Sequence, residues 1–229
     1  MGKILKKIVH NIRTEIEGCS RGEVTRARIL AAARNVFARQ SFHAASIRMI
    51  AREGDFAHGI IRYHFPSKAA LFKEIVKETC EDFYSQNSQW LKEVSTMPLQ
   101  ESFSVYMDRL LAYNRNNPQA LRMLSQNLGQ GDKPENTPGY EYIIGLINRT
   151  TEEFIQAFAT EETRDLVRRF SYAFYGMAFY FLGASSCQSR VLKTDPASHE
   201  YSAWVKKTMQ TVFYPLLEKI FSSRQLQQD

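Results

Sequence analysis

TRARILAAARNVFARQSFHAASIRMIAREGDFAHGIIRYHFPSKAALF, residues 25–72, holds three short helical patterns separated by turn residues. In the first, Ile29, Leu30, Ala33, Val36 and Phe37 recur at helical spacing behind Thr25, a residue suited to cap a helix start. The second comprises Ile47, Ile50 and Ala51 behind Ser46 and stops at Gly54-Asp55, a pair that tolerates a left-handed backbone. The third turns Phe56, Ile61 and Phe65 inward and His58, Gly59, Ile60, Arg62, Tyr63 and His64 outward. That outward surface is too rich in hydrogen-bonding groups, and too apolar at Ile60, for an ordinary solvated helix. It has the character of a helix that reads a DNA groove.

Charge is distributed to match. Residues 1–66 hold twelve Lys or Arg against five Asp or Glu, a surplus of seven, whereas residues 67–229 hold 18 bases and 19 acids. A basic excess confined to the end with the helix-turn-helix pattern is the electrostatic footprint of a phosphate-binding module.

With these residues in order and correctly spaced, the stretch resembles the N-terminal domain of the tetracycline-repressor (TetR-type) family of bacterial regulators. The carriers are Ile29-Leu30 with Ala32-Ala33 and Phe37, Ser46 with Ile50-Ala51, then Gly59, Tyr63-His64-Phe65 and Ser67-Lys68. The chain departs from the family pattern at Ser41, where glycine is usual, at Gly54-Asp55-Phe56-Ala57 in place of Ala-Gly-Val-Ser, and at Arg62, where an aromatic is usual. Ala57 cannot cap the third helix as serine would, a loss of about 0.5–2 kcal/mol. The resemblance implies a regulator, by family default a repressor, that binds double-stranded operator DNA as a homodimer and answers to a small molecule. On the DNA-facing helix His58 and Ile60, with Gly59 allowing close approach, are expected to read base edges, while Ser46, Tyr63, His64 and Lys68 hold phosphates. Arg48 completes the DNA-binding set, and Arg62 could join either class.

The remaining composition bounds the rest. At 229 residues and 44% hydrophobic content the chain is long and apolar enough for one small head and a larger packed domain. Cys19, Cys80 and Cys187 form no CxxC pair and are odd in number, which suits a reducing cytosol and argues against a disulfide framework or a metal site; no cofactor is implied. Phe170 to Ser189 runs uncharged for a membrane-span length, but Ser171, Tyr172, Tyr175, Ser185, Ser186, Gln188 and Ser189 interrupt it, so a buried helix and no membrane span is expected. Near the start, Ile4, Leu5, Ile8, Val9, Ile12 and Ile16 alternate with Lys6, Lys7, His10 and Arg13, so the stretch does not read as a signal peptide. The cytoplasm, at the nucleoid, is the expected location.

The expected organisation is all-α: an amphipathic basic extension over 1–24 with a hinge at Gly18 to Gly22, a helix-turn-helix head over 25–72, and a helical effector-binding and dimerisation domain over 73–229. The extension's stripe could pack on the protein, follow DNA phosphates with Lys3, Lys6, Lys7 and Arg13, or lie on an anionic membrane surface. Helices are expected over 67–93, 99–116, 118–128, 140–159, 162–188 and 198–221, with a long loop from Gly129 to Gly139 and a connector from Arg190 to Ala197; Pro215 could kink the last helix. The two last helices are apolar over most of their circumference, which suits a two-fold four-helix seam through Ala173, Gly176, Tyr180, Ala184, Val205, Met209, Val212, Phe213 and Leu216. A largely apolar effector is expected among Phe103, Tyr106, Met107, Leu110, Met123, Tyr142, Asn148 and Tyr175, with Asn148 as a buried amide in need of a partner.

Other function classes fit less of the chain. There is no glycine-rich phosphate loop, GxSxG, HExxH or Cys-His pairing, so no enzyme is expected. An architectural DNA-binding protein would explain the head but not the aromatic-rich remainder, and a carrier of hydrophobic small molecules would explain only the remainder.

Overall fold

The computed structural model describes residues 20–128 and 133–225, in which ten α-helices form and no strand does. Most of the expected extension, with Cys19, lies outside the described residues. Helix α1 (Arg21–Arg39) starts a turn before Thr25, because Ser20 and Glu23 form a capping box: Ser20 Oγ accepts from the Glu23 amide and the Ser20 amide donates to Glu23 Oε2, 2.6 Å away. Thr25 instead donates its hydroxyl to the Arg21 carbonyl, and Gly22, expected in a hinge, lies inside the helix.

Helices α2 (Ile47–Gly54) and α3 (His58–His64) complete the head. Ser46 caps α2 by accepting from the Met49 amide, and Asp55 ends it in the left-handed region at φ 54°. Gly54 is needed for space: a Cβ there would lie 1.9 Å from the Phe56 ring, so the large ring in the turn and the glycine before it go together. No side chain caps α3, as Ala57 foretells. Ser41 needs no glycine conformation, and its hydroxyl accepts from the Ala44 amide in the loop after α1.

The head core is closed by the next helix. Ser67 caps α4 (Lys68–Val94), whose Leu71 and Phe72 are fully buried beside Ile29, Phe37, Ile50 and Ile61, with Phe37 and Phe72 edge-to-face at 4.7 Å. Further along α4, Phe83, Trp90, Leu91 and Val94 enter the core of the body. The body adds α5 (Leu99–Asn116), α6 (Ala120–Leu128), α7 (Tyr140–Phe158), α8 (Arg164–Ala178), α9 (Ser185–Leu192) and α10 (His199–Gln225). A 3₁₀ turn, Pro134–Asn136, occupies part of the expected long loop. Helix α7 packs along α4 and α8, and α10 lies across α5 and α8. Helix α10 runs through Pro215, which is exposed. Cys80 is buried, which, with the Glu81 charge, pushes its thiol up to about 12, and Cys187 is exposed.

One expected helix is broken. Residues 162–188 form α8, then a π turn at Phe179–Gly183, then α9, which continues to Leu192 before Lys193 turns the chain at φ 54°. The cause is tertiary. Helix α6 lies so close to the π turn that Ser125 donates its hydroxyl to the Phe179 carbonyl at 3.1 Å, and a Cβ on Gly183 would stand 1.9 Å from Ser125 Oγ and 2.8 Å from the Leu121 carbonyl. Among the described residues no helix is long and apolar enough to cross a membrane.

Gly183→Ala should lower stability by about 1–3 kcal/mol by overpacking against the Leu121 backbone. Urea denaturation checks this; an unchanged midpoint would mean that α6 can withdraw without loss.

Candidate functional site

Two features of the structure concentrate chemistry. The first is the outer face of α3. His58, Gly59, Arg62 and Tyr63 are exposed, Tyr63 at 86% and Ile60 at 39%, while Ile61 and Phe65 are buried beneath them. His64 is half-buried with its ring edge-on to Tyr63. A helix with an isoleucine, two imidazoles, a guanidinium and a phenol on its solvent side presents both apolar contact and hydrogen bonds to whatever it meets.

The head's positive charge is divided between holding itself together and this face. Arg26 and Arg34 pair with Glu74 and Glu78 of α4, and Arg39 pairs with Glu53 of α2. Each pair is partly exposed and worth little alone, but together they lay α1 along α4 and α2. Arg48, Arg52 and Arg62 are exposed and form no ion pair among the described residues. Ser46 is half-buried at the start of α2, two residues before Arg48.

Lys68, expected to hold a phosphate, has its ammonium engaged within the chain. Its ammonium donates to the Phe42 carbonyl at 2.7 Å and the Ala45 carbonyl at 2.8 Å and sits 4.4 Å from the Phe42 ring centroid. Desolvation holds it below the ordinary lysine range. These bonds make it a clamp on the loop between α1 and α2, because carbonyls turned toward α4 need a donor there. Helix α6 grips the same loop: Asn127, 1% exposed, accepts from the Phe42 amide at 3.0 Å and donates to the Met123 carbonyl, and Gln119 donates to Asn35.

The second feature is a small cavity in the body, lined by Leu91, Val94, Leu99, Ser102, Phe103, Tyr106, Phe154, Phe158, Phe170, Phe174, Leu217 and Phe221, with a free volume of about 20 Å³. That is room for about one water-sized molecule, so any larger guest must push the rings apart. Phe103 and Tyr106 were expected here. Tyr175 adjoins, its hydroxyl 3.2 Å from that of Tyr106. Met107 and Leu110 are fully buried packing residues outside the lining, and Met123 borders a polar cleft between α1, α4 and α6. Tyr142 is half-buried under the Lys73 ammonium. Asn148 is exposed, correcting its expected inward position: the buried stripe of α7 runs through Ile143, Leu146, Thr150, Phe154 and Phe158 and leaves Asn148 on the other side.

The buried amide is Asn87, on α4, with no exposure. It accepts from the Tyr106 hydroxyl and, at 3.0 Å, from the Tyr175 hydroxyl. Its position was legible, since it falls four residues after Phe83 and four before Leu91 on the apolar stripe of α4.

The last two long helices carry an exposed apolar face. Tyr172, Ala173, Gly176 and Tyr180 share one side of α8 and its π turn, and Trp204, Val212 and half-buried Leu216 share one side of α10. Ala184 is exposed after the turn. Val205, Met209 and Phe213 are at most 1% exposed inside this same chain and leave the expected seam, because the opposite side of α10 packs on α5 and α8.

Residues 29–75 match the family model of bacterial regulatory proteins, tetR family. The HTH-type transcriptional regulator UidR of Escherichia coli is 35% identical over 74 residues, 32% of this chain and 35% of UidR, so the match spans about a third of that relative. Over most of the chain the fold is that of the fatty acid degradation regulator FadR from Bacillus halodurans, with TM-score 0.61, 17% identity and coverage of 84% of this chain and 94% of that one. It is likewise that of the transcriptional regulator FadR from Bacillus subtilis in complex with stearoyl-CoA, with TM-score 0.57, 15% identity and coverage of 80% and 97%.

Lys68→Met should cost about 1–3 kcal/mol of stability, because it strips the donor from two partly buried carbonyls. Thermal unfolding checks this. An unchanged midpoint combined with weaker DNA binding would return Lys68 to the phosphate-holding set.

Proposed function

We propose, for a chain whose residues 29–75 belong to the tetR family of bacterial regulatory proteins, that it is a transcriptional repressor acting in the cytoplasm at the nucleoid. It binds a pseudo-palindromic operator as a homodimer and is released by a small, largely apolar effector. The observation that carries the reading is the outward face of α3, standing on a head whose Arg48, Arg52 and Arg62 face solvent and form no ion pair among the described residues.

In this reading α3 enters the major groove. His58 donates to or accepts from a base edge, Ile60 touches a thymine methyl, and Gly59 lets the backbone come close. Ser46, Tyr63, His64 and the exposed arginines meet phosphates and set register without reading sequence. Lys68 acts through the loop it clamps. One head contacts too few bases to find a site in a genome, so two heads on a common two-fold axis supply the remainder, with half-sites about 34–36 Å apart.

The dimer seam is the exposed face of Tyr172, Ala173, Gly176, Tyr180, Trp204, Val212 and Leu216, an apolar surface that a second copy covers by symmetry. The effector enters the ring-lined cavity among α4, α5, α7, α8 and α10. FadR of Bacillus subtilis, with stearoyl-CoA in a related fold, supports an apolar body for the guest. Since the cavity has a free volume of only about 20 Å³, a guest moves the far half of α4 and with it the head that the near half completes; α6 offers a second path through Asn127. Only a difference in effector affinity between the two head arrangements drives release, and a coupling of about 1–3 kcal/mol would be ordinary.

Gly176→Arg tests the dimer on which this reading depends. The residue is exposed and a Cβ there meets nothing within 4 Å, so the monomer should fold unchanged. Native mass spectrometry should then find monomers, and specific DNA binding should be lost. A dimeric, DNA-binding Gly176→Arg protein would place the seam elsewhere.

A further inference from the structure

A polar cluster adjoins the apolar cavity through Tyr106, and among the described residues two buried atoms in it lack a partner, Asn87 Nδ2 and Glu153 Oε2. Asn87 Oδ1 is taken by the hydroxyls of Tyr106 and Tyr175, but its Nδ2, with two N–H donors, meets no acceptor among the described residues. Tyr106 belongs both to this triad and to the cavity wall; Leu91, one turn along α4 from Asn87, and Phe174, next to Tyr175, are wall residues too. Asn87 itself lies behind the wall residue Tyr106 and not in the lining, and a fully buried amide nitrogen there is a donor awaiting an acceptor, since folded cores leave few such groups unpaired.

The charges around it restrict what can supply that acceptor. Neither the cavity wall nor the triad contains Lys, Arg or His. The charged group in this cluster is Glu153, whose Oε1 accepts from Tyr84 at 2.7 Å and from Ser88, the neighbour of Asn87, at 2.8 Å, and whose Oε2 is buried without a partner among the described residues. Burial above all, with a smaller push from the Glu153 charge, raises both inner phenols, Tyr175 to about 12, so both stay neutral. The nearest cation, Arg149, lies outside, over the Tyr84 ring 3.5 Å away, so a second anion would enter a low-dielectric wall without a cation and with the Glu153 carboxylate nearby, a costly arrangement.

We propose that the effector is an uncharged amphiphile, with an apolar chain or ring among Phe103, Phe154, Phe158, Phe170 and Phe174 and one carbonyl-type oxygen that accepts from Asn87 Nδ2. Free carboxylates are excluded by charge. Coenzyme A thioesters are excluded because their large anionic head must stay in water, which leaves only a methyl end to reach Asn87. This proposal rests on the cavity being the effector site.

The test is calorimetric binding to the full chain of four probes with the same hydrocarbon body: a decanone, the alkene in which a methylene replaces its oxygen, decanoate, and decanoyl coenzyme A. The ketone should bind about tenfold or more tightly than each of the others. Asn87→Asp keeps the acceptor for both tyrosines and removes the donors, and should bring ketone and alkene within about twofold. Asn87→Leu should do the same should the aspartate variant fail to fold. Equal or tighter binding of decanoate or decanoyl coenzyme A, or ketone preference that survives both substitutions, overturns the proposal. Ketone binding through Asn87 that leaves DNA affinity unchanged would sink the effector reading and spare this one, while no binding by any probe sinks both.

Discussion

Everything in this molecule hangs on one helix that belongs to two cores. Helix α4 has 27 residues, which makes a rod of about 40 Å. Its first turns supply Leu71 and Phe72 to the head, and its later turns supply Phe83, Trp90, Leu91 and Val94 to the body. A three-helix head of this size buries too little on its own side, and α4 closes it from below. The body, in turn, builds its cavity wall from the far end of the same rod. Neither core can rearrange its part of α4 without carrying the other part along, because a continuous hydrogen-bonded helix bends far less readily than a loop. That mechanical fact is what would let the effector proposed for the body act on a surface in the head.

Around the rod, the contacts between head and body differ in kind. Along α4 they are apolar and continuous, which fixes distance. Between α1 and α6 they are polar, made by Asn127 with the Phe42 amide and Gln119 with Asn35, beside a cleft lined by Arg34, Glu78, Asp82 and Tyr113. Such bonds are directional and, with Asn127 buried, costly to leave unmade, so they fix the orientation of the head where the apolar contacts fix its distance. The head's electrostatics follow a parallel division: Arg26, Arg34 and Arg39 are used inside the protein, and Arg48, Arg52 and Arg62 are left facing outward.

Much of this was legible in the order of residues. The head could be read because its information is local: apolar spacing, Ser46 and Ser67 as caps, and Asp55 at a left-handed turn. The capping box at Ser20 and Glu23 was equally local and was passed over in favour of Thr25. The body's helices were legible by their periodicity, but their sides were not. Asn148 lies two residues from the buried Leu146 and Thr150 of α7, and a small error in helical phase turns it from inside to outside. On α10, the stripe through Val205, Met209 and Phe213 announces burial without saying whether the same chain or a second copy does the burying. The break at Phe179–Gly183 is set by the approach of α6, more than fifty residues away in sequence, and spacing carries no trace of it. Asn87 was visible as a polar residue on an apolar stripe; that it keeps an unpaired donor depends on Tyr106 and Tyr175 arriving from two other helices.

The central claim, that two outward α3 faces on a common axis read DNA, is tested most directly by selection of bound duplexes from a random-sequence library with the purified full chain. The expected result is enrichment of an inverted repeat whose halves are centred about 10 base pairs or a little more apart, with His58→Ala relaxing one or two positions in each half. Retention of all library sequences alike, or enrichment of a single half without its inverted partner, would contradict it.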